Sequence, residues 1–381
     1  MRVIFVDRAG AQSIWSLMAA IAERLRLDGH EPMFCVFDDG RSSYNQLFPT
    51  GVEHVVIPVP PKRFLWDLYT QHRVFGRAFR DLLHRFQPDV VHTNFCVPGI
   101  AARWIAAREH VPAVVSTQHE LYGSMHPHYR WGLRLTEHCA DAVVYVSQTV
   151  ARSFDRDDPL APSKITQHRV IPNGVDVEAI QSAISGIRPR EPAKLVCAGR
   201  MVRVKGQETL ILALPHIVAA NPEVHLTLIG AGPDESRLRR LVHDLGLQDH
   251  VRFAGWLSRE DTLREMTTAQ VMVVPSDGTQ EGFGLVLVEA MLCETPVVVS
   301  DIPVFREVAV DGGGGVRWFP PGSAEALSVE LINALKNETR SAPHILSGLT
   351  DIEQRYSIER MAAAYFNLYE VLLGQKKEQG S

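Results

Sequence analysis

Short apolar runs alternate with longer amphipathic stretches along the whole chain. In the first half, runs rich in Val and Ile predict strands at residues 3–6, 32–37, 54–57, 90–92, 113–116, 142–146 and 170–171. Helical periodicity separates them at residues 13–26, 64–86, 100–109 and 131–139. Because most runs are apolar without alternation, we expect strands that are covered on both faces, as in a parallel sheet.

The alternation lapses between residues 177 and 193 and then starts again. Further strands are predicted at residues 195–198, 226–229, 251–253, 271–274 and 297–299, and helices at 207–220, 235–245, 259–267, 285–293, 324–335 and 358–373. This order predicts an α/β fold of two Rossmann-like, doubly wound domains that face each other across a cleft. The expected boundaries are domain 1–176, linker 177–193, domain 194–350 and a C-terminal helix in 351–381 that packs back on the first domain.

Composition narrows the class of protein. A length of 381 residues fits two domains, and the charge of 39 − 44 = −5 gives no general basic surface for nucleic acid. The five cysteines form no CxxC pair, and no apolar run approaches the ~20 residues that cross a bilayer. With no signal-peptide pattern at the start, a cytoplasmic protein is expected.

The most informative segment is residues 276–291, SDGTQEGFGLVLVEAM, which follows a strand and opens a helix. Gly282 and Gly284 allow a ligand to approach the backbone, and a helix start offers N–H groups to an anion. Glu281 is expected in the turn before the helix and Glu289 about two turns inside it. Carboxylates accept hydrogen bonds from vicinal hydroxyls, so this pair suits a ligand with diols at both ends.

A second group of candidate residues follows the first strand of the second half. In AGRMVRVKG, Arg200 and Lys205 present two cations between Gly199 and Gly206. Arginine grips phosphate oxygens in bidentate fashion and lysine adds a point charge, so the loop suits a diphosphate.

Taken in order, these motifs closely resemble the retaining GT-B glycosyltransferases of family four (group 1). The resemblance also rests on residues 253–255 (FAG), 275–276 (PS), 295–297 (TPV) and 171–176 (IPNGVD), and it covers the second half and the join. It implies a hexosyltransferase that takes its sugar from a nucleotide diphosphate, most commonly that of uridine. By resemblance, Arg200 and Lys205 hold the diphosphate, Glu281 the sugar hydroxyls and Glu289 the ribose. The remaining donor-binding residues implied are Gly10, Gly199, Gly282, Phe283, Gly284 and Leu285.

The first half matches the family less closely. His119, in STQHE after a strand, resembles the family's active-site histidine, although Glu120 stands where Asp is frequent. The loop after the first strand keeps only Gly10 where many relatives carry a glycine pair. The resemblance therefore implies catalytic roles for His119, Glu281, Arg200 and Lys205, and leaves the acceptor side less well defined.

The resemblance implies attack on the same face of the sugar, with the donor phosphate taking the acceptor proton and without metal or cofactor. Alternatives are an epimerase of the same fold and a non-catalytic nucleotide-sugar-binding protein. A nicotinamide-dependent oxidoreductase would need a third glycine after Gly232, where position 235 is Glu.

A basic stretch with an apolar stripe, residues 62–86, is the one candidate for contact with lipid. It suits either a peripheral contact with the inner membrane face and a lipid-linked acceptor, or an arginine-bearing solvated face on a core helix. A soluble sugar or another small molecule is the alternative acceptor.

Overall fold

The structure, a computed structural model, describes residues 1–10, 12–40, 48–61, 67–94, 97–157, 166–185, 189–309, 315–336 and 343–379. The chain divides into two compact units. Unit 1 comprises Met1–Gly174 and Ile358–Ser381, and unit 2 comprises Val175–Ser357. The C-terminal segment thus joins unit 1 at residue 358.

Unit 1 is built on a parallel sheet whose apolar strands are covered on both faces. Its strands are β1 (Arg2–Arg8), β2 (Glu31–Asp38), β3 (Glu53–Pro58), β4 (Val90–Asn94), β5 (Ala113–Gln118), β6 (Ala142–Tyr145) and β7 (Gln167–Val170), in the order β3-β2-β1-β4-β5-β6-β7. The helices between them are α1 (Gln12–Leu27), α2 (Asp67–Phe86), α3 (Gly99–Arg108), α4 (Pro127–Leu135) and α5 (Gln148–Asp157). Burial is unbroken along β4 and β5, which explains why their apolar residues do not alternate with polar ones.

Unit 2 repeats the architecture with a six-stranded parallel sheet. Its strands are β8 (Lys194–Ala198), β9 (His225–Ile229), β10 (Val251–Gly255), β11 (Val271–Val274), β12 (Val297–Ser300) and β13 (Val316–Phe319), in the order β10-β9-β8-β11-β12-β13. Its helices are α6 (Val177–Ser185), α7 (Gln207–Ala220), α8 (Glu235–Asp244), α9 (Arg259–Thr268), α10 (Leu285–Leu292), α11 (Pro303–Ala309), α12 (Ala324–Lys336) and α13 (Pro343–Tyr356). Both sheets confirm the predicted fold class.

The segment expected as a linker, 177–193, is not irregular throughout, because α6 occupies its first half and packs against α9 within unit 2. The side chain of Asp176 accepts a hydrogen bond from the Ala179 N–H at 2.9 Å, which starts the helix. Ile180 is buried one turn further on. The capping residue and the apolar spacing form this helix ahead of Pro189 and Pro192, the prolines that, with the missing strand pattern, suggested a linker.

The last helix, α14 (Ile358–Gln379), packs against α1 and reaches the interior of unit 1. The hydroxyl of Tyr369 shares a 2.6 Å hydrogen bond with Nδ1 of His92, whose Nε2 shares one of 2.7 Å with Thr117 Oγ1. All three side chains are fully buried. These hydrogen bonds satisfy buried polar groups whose burial would otherwise destabilise the fold. They also connect α14 to strands β4 and β5.

The order of strands reverses direction at one place in each sheet. In unit 1 this occurs between β1 and β4, and in unit 2 between β8 and β11. Loops leaving the carboxyl ends of the strands separate at such points, which is where open α/β sheets bind ligands. The candidate residues after β1, β8 and β11 all lie at these positions.

Candidate functional site

The loop after β8 carries Arg200 and Lys205 immediately before α7. Its backbone is anchored to the neighbouring loop, since the Met201 N–H donates to the Ala231 carbonyl at 3.0 Å. The side-chain amide of Gln207 donates to the Arg200 carbonyl at 3.2 Å. The Arg200 side chain is exposed, so a cation stands beside the start of a 14-residue helix. Both the cation and the helix start favour an anion.

Gly206 joins this loop to the one that follows β11. Its φ of +70° is left-handed, and a Cβ there would lie 1.9 Å from the carbonyl oxygen of Pro275. The contact between the two loops is reinforced by the Asp277 N–H, which donates to the Val204 carbonyl at 2.9 Å. Only glycine permits this approach, because any side chain would push the two backbones apart.

We expect Gly206→Ala to lower the free energy of unfolding by about 3 kcal/mol. Two costs add: the left-handed φ is strained for alanine, and the new Cβ overlaps the backbone of the neighbouring loop. For a domain of this size that corresponds to a fall in Tm of about 6–12 °C. Gly246→Ala is the matched control, with a φ of +68° and nothing within 4 Å of the added Cβ. Thermal unfolding followed by circular dichroism should give the smaller loss for Gly246→Ala. Equal losses would mean that the Pro275 contact contributes nothing.

The loop after β11 brings Glu281 to Lys205, 76 residues away in sequence. Lys205 Nζ lies 2.7 Å from Glu281 Oε2, and Ser276 Oγ donates to the same oxygen at 2.9 Å. The Glu281 side chain is only 10% exposed and that of Lys205 34%. Gly282, next in the chain, is buried. The arrangement places a cation and a carboxylate side by side, with the lysine keeping two further N–H donors for a ligand.

Helix α10 begins at the predicted residue, but Glu289 lies less deep in it than expected. Gly284 caps it with a φ of +91°, and a Cβ there would lie 2.5 Å from Cε1 of Phe305. The helix starts at Leu285, so Glu289 lies just over one turn inside it rather than two. Phe283 is buried, with its ring edge-on to Tyr356 at 5.3 Å between centroids. Phe283 therefore offers a ligand its backbone and not its ring.

Glu289 forms an ion pair that the sequence did not reveal. Its Oε1 lies 3.0 Å from a guanidinium nitrogen of Arg259, with side chains 14% and 49% exposed respectively. Burial raises the pKa of the Glu289 carboxyl above its ordinary value, and the Arg259 guanidinium counteracts part of that rise. Arg259 is the first residue of α9, placed there by Ser258, whose hydroxyl accepts from the Asp261 N–H at 3.0 Å.

In unit 1, His119 follows β5 and is anchored to the neighbouring strand. Its Nε2–H donates to Oδ1 of Asn94, the last residue of β4, at 3.0 Å. Burial lowers the pKa of His119 to about 3, so the ring is neutral at neutral pH. The neutral ring carries its proton on Nε2. Its other nitrogen, Nδ1, is therefore a hydrogen-bond acceptor and lies on the side of the ring away from Asn94. Gly10 is an exposed turn residue between β1 and α1.

Helix α2 contains most of the apolar stripe that was predicted in residues 62–86. Phe75, Phe79 and Leu82 are buried in unit 1, whereas Arg73 and Arg77 are exposed. Most of the described part of the stripe therefore belongs to the core, whereas Tyr69, also part of the stripe, is exposed beside the arginines. Residues 62–66 of the predicted basic stretch lie outside the described residues. In the described part of the chain, no helix is long and apolar enough to cross a membrane.

Three residues at these positions were not singled out from the sequence: Ser276, Arg259 and Asn94. Ser276 could have been inferred from its place at the end of β11, beside the glutamate loop. Arg259 follows a serine with an acidic residue three positions later, a pattern that marks a helix start. Asn94 becomes recognisable only once β4 is known to lie next to β5.

Comparison with known proteins covers both units. The model of the family described as glycosyl transferases group 1 matches residues 181–346, and that of glycosyltransferase family 4 matches residues 15–179. A GDP-mannose-dependent monoacylated alpha-(1-6)-phosphatidylinositol monomannoside mannosyltransferase of Corynebacterium glutamicum is 30% identical over 266 residues, or 66% of this chain and 68% of the relative. The chain belongs to the group 1, family 4 glycosyltransferases.

A phosphatidyl-myo-inositol mannosyltransferase of Mycolicibacterium smegmatis is 36% identical over 207 residues, which is 54% of this chain and 52% of the relative. A second such enzyme, of Mycobacterium leprae, is 35% identical with 53% of the relative covered. The chain therefore spans about half the length of these two curated relatives. The family assignment rests on the longer match and on the two family models.

Solved structures resemble the chain over nearly its full length. Anabaena HepE, in complex with UDP and glucose, superposes with a TM-score of 0.77 at 20% identity, covering 97% of this chain and 99% of that one. Sucrose-phosphate synthase of Thermosynechococcus elongatus gives 0.79 at 22% identity, covering 98% and 100%. These likenesses concern the fold, which is the GT-B fold that the motifs of this glycosyltransferase predicted.

Proposed function

We propose that this chain moves a hexosyl group from a nucleoside diphosphate sugar to a hydroxyl of an acceptor bound by unit 1. The observation that carries the proposal is the 2.7 Å contact between Lys205 and Glu281. A diphosphate binds to cations, and the hydroxyls of a sugar bind to hydrogen-bond acceptors. The loops after β8 and β11 present one group of each kind side by side. Arg200 adds a second, exposed cation.

The proposed reaction retains the configuration of the sugar. The bond between the anomeric carbon and the phosphate oxygen breaks, and the acceptor oxygen bonds to the same face of that carbon. The acceptor proton passes to the departing phosphate oxygen, so the products are the glycoside and the nucleoside diphosphate. Lys205 and Arg200 stabilise the charge that develops on the phosphate, a role that needs no metal ion.

We propose GDP-mannose as the donor to be tested first. The Corynebacterium glutamicum relative is named as GDP-mannose-dependent. So is another relative of Mycolicibacterium smegmatis, an alpha-(1-6)-phosphatidylinositol monomannoside mannosyltransferase. The general expectation for the family was uridine. The likeness to HepE concerns the fold at 20% identity, so its bound UDP does not decide the base.

The acceptor is proposed to bind at the carboxyl edge of the unit 1 sheet, where His119 and Gly10 lie. A lipid-linked polyol is favoured because the relatives are named for phosphatidylinositol and its mannosides. A cytoplasmic enzyme at the inner membrane face would suit such an acceptor. The neutral His119 ring, whose Nε2–H donates to Asn94, would accept a hydrogen bond from the sugar at Nδ1 without adding charge.

The deciding experiment incubates the purified chain with labelled GDP-mannose, UDP-glucose, ADP-glucose or TDP-glucose, each with phosphatidylinositol vesicles or a soluble sugar. Glycoside formation with stoichiometric nucleotide release supports transfer, and the anomeric configuration of the product tests retention by NMR. An isomerised donor without acceptor would identify an epimerase. Binding without turnover of any donor would identify a nucleotide-sugar-binding protein. Activity lost on adding EDTA and restored by a divalent cation would contradict metal independence.

Membrane contact through the arginine side of α2 can be tested separately. Replacement of Arg73 and Arg77 by Glu should lower binding to vesicles of anionic phospholipid by about thirtyfold or more, since each of the two cations lost contributes about 1 kcal/mol near such a surface. The control replaces Arg239 and Arg264, exposed arginines of unit 2, in the same way. Co-sedimentation that falls equally in both variants would mean that α2 has no special part in the contact.

A further inference from the structure

The carboxylate of Glu289 lies in surroundings that disfavour its charge. It extends from α10, whose residues Leu287, Val288 and Ala290 are fully buried. The side chain is itself only 14% exposed. A carboxylate in such surroundings is disfavoured unless a cation or several donors compensate it.

Arg259 supplies that compensation from a different helix. Its guanidinium reaches Oε1 at 3.0 Å, and Oε2 makes no ion pair or hydrogen bond with the described residues. The position of Arg259 is fixed by the serine cap of α9, so the pair does not depend on a flexible loop. One oxygen of Glu289 is thus engaged and the other remains available to a ligand.

The other charged side chains of α9 are committed elsewhere. Arg264 pairs with Glu260 and Asp261 on the surface of the helix. Glu265 pairs with Lys194 at 2.9 Å and with Arg252. Removal of Arg259 would therefore leave Glu289 without a cation from this helix.

The remaining elements that pack against α10 offer no substitute cation at Glu289. Strands β11 and β12 contain no titratable residue over their ranges. On α11 and α13, Glu307, Arg355 and Asp351 act electrostatically on Tyr356. Helix α6 carries Glu178 in its first turn.

Cys293, the residue that follows α10, places a thiol near Glu289. Burial raises the pKa of Cys293 to about 12, so this thiol is uncharged at neutral pH. Arg190 acts electrostatically on Cys293 and bonds the backbone carbonyl of Glu294. Neither group replaces the guanidinium at 3.0 Å.

We propose that Arg259 is a positioning residue for the donor nucleotide: it keeps Glu289 ionised and turns its free oxygen towards the ribose hydroxyls. This inference rests on the proposed function, in which Glu289 accepts hydrogen bonds from the ribose. The family motifs described above include the glutamate, and the arginine that pairs with it comes from the start of α9. The role predicts a pH signature that a merely structural ion pair would not produce.

The test measures the Kd of GDP by calorimetry at pH 6.0 and pH 8.5. In the wild type the two values should differ only by the change that accompanies titration of the terminal phosphate of GDP, because Arg259 keeps Glu289 ionised. In Arg259→Gln, binding at pH 6.0 should be at least about tenfold weaker than at pH 8.5, since Glu289 is protonated more readily. Arg259→Lys keeps the charge and should restore the wild-type profile.

Two controls separate ionisation from loss of structure. Arg264→Gln removes an exposed arginine of the same helix and should leave the profile unchanged. Arg259→Gln combined with Glu289→Gln should show weak binding whose pH dependence is no larger than that of the wild type, since only the terminal phosphate of GDP still titrates. A loss in Arg259→Gln that is equal at both pH values, or no loss at all, overturns the inference. A wild type that binds neither GDP nor UDP overturns the proposed function itself, and the inference with it.

Discussion

Glu281→Ala is expected to lower sugar transfer by about a thousandfold or more while the chain stays folded. The carboxylate is 10% exposed and holds Lys205 and Ser276 through one oxygen. Its removal deprives the sugar of a hydrogen-bond acceptor and releases the lysine from its fixed position. Loss of one such preorganised group costs about 10²–10³ in turnover, and here two effects act together. Steady-state release of the nucleoside diphosphate measures the change.

Glu281→Gln is the matched variant, because it keeps the size of the side chain and an oxygen for Ser276. We expect it to retain more activity than alanine but still to lose about a hundredfold, since an amide accepts more weakly than a carboxylate. Unchanged far-ultraviolet circular dichroism would show that both variants fold. Near wild-type turnover in Glu281→Ala would remove this residue from the proposed site.

The fold was largely predictable because its signals are local. Strands buried on both faces favour apolar runs without alternation: β11 is apolar throughout, and β4 and β5 begin with such runs before ending in buried polar residues. The elements that escaped prediction are short or depend on neighbours. Strand β13, VRWF, has no unbroken apolar run, and its place follows from pairing with β12.

The site residues were predictable as types but not as pairs. Lys205 and Glu281 each follow a strand and each suit a sugar nucleotide, yet their contact depends on the adjacency of β8 and β11. The same holds for Arg259 and Glu289, which come from α9 and α10. The spacing of residues within one segment says nothing about contacts between segments. The two ion pairs could therefore be identified only from the structure. The roles of these residues in donor binding and catalysis stay predictions.

The position of Glu289 shows how a local rule can mislead. The helix was predicted from residue 285, yet Glu289 was expected about two turns inside it. Gly284 adopts a left-handed conformation against Phe305 and caps the helix before Leu285, which leaves Glu289 just over one turn inside. A glycine between two apolar residues carries no sign of its φ, since glycine visits both hands about equally.

Lys205→Ala should lower the rate of sugar transfer by about a thousandfold. This decrease is larger than the loss of one contact to a phosphate would cause by itself. Without Lys205, the carboxylate of Glu281 keeps only the Ser276 hydroxyl and faces the donor diphosphate as an uncompensated negative charge. Like charges in a partly buried site repel strongly, so donor affinity should fall together with turnover. Calorimetric titration with GDP and UDP measures the affinity.

The double variant Lys205→Ala with Glu281→Ala distinguishes this repulsion from simple loss of contacts. If the two side chains act as a pair, donor affinity in the double variant should exceed that in Lys205→Ala, because the unpaired carboxylate is gone. Turnover should stay low, since both groups are missing from the reaction. Donor affinities that fall independently and multiply in the double variant would mean that the 2.7 Å contact has no part in binding the diphosphate.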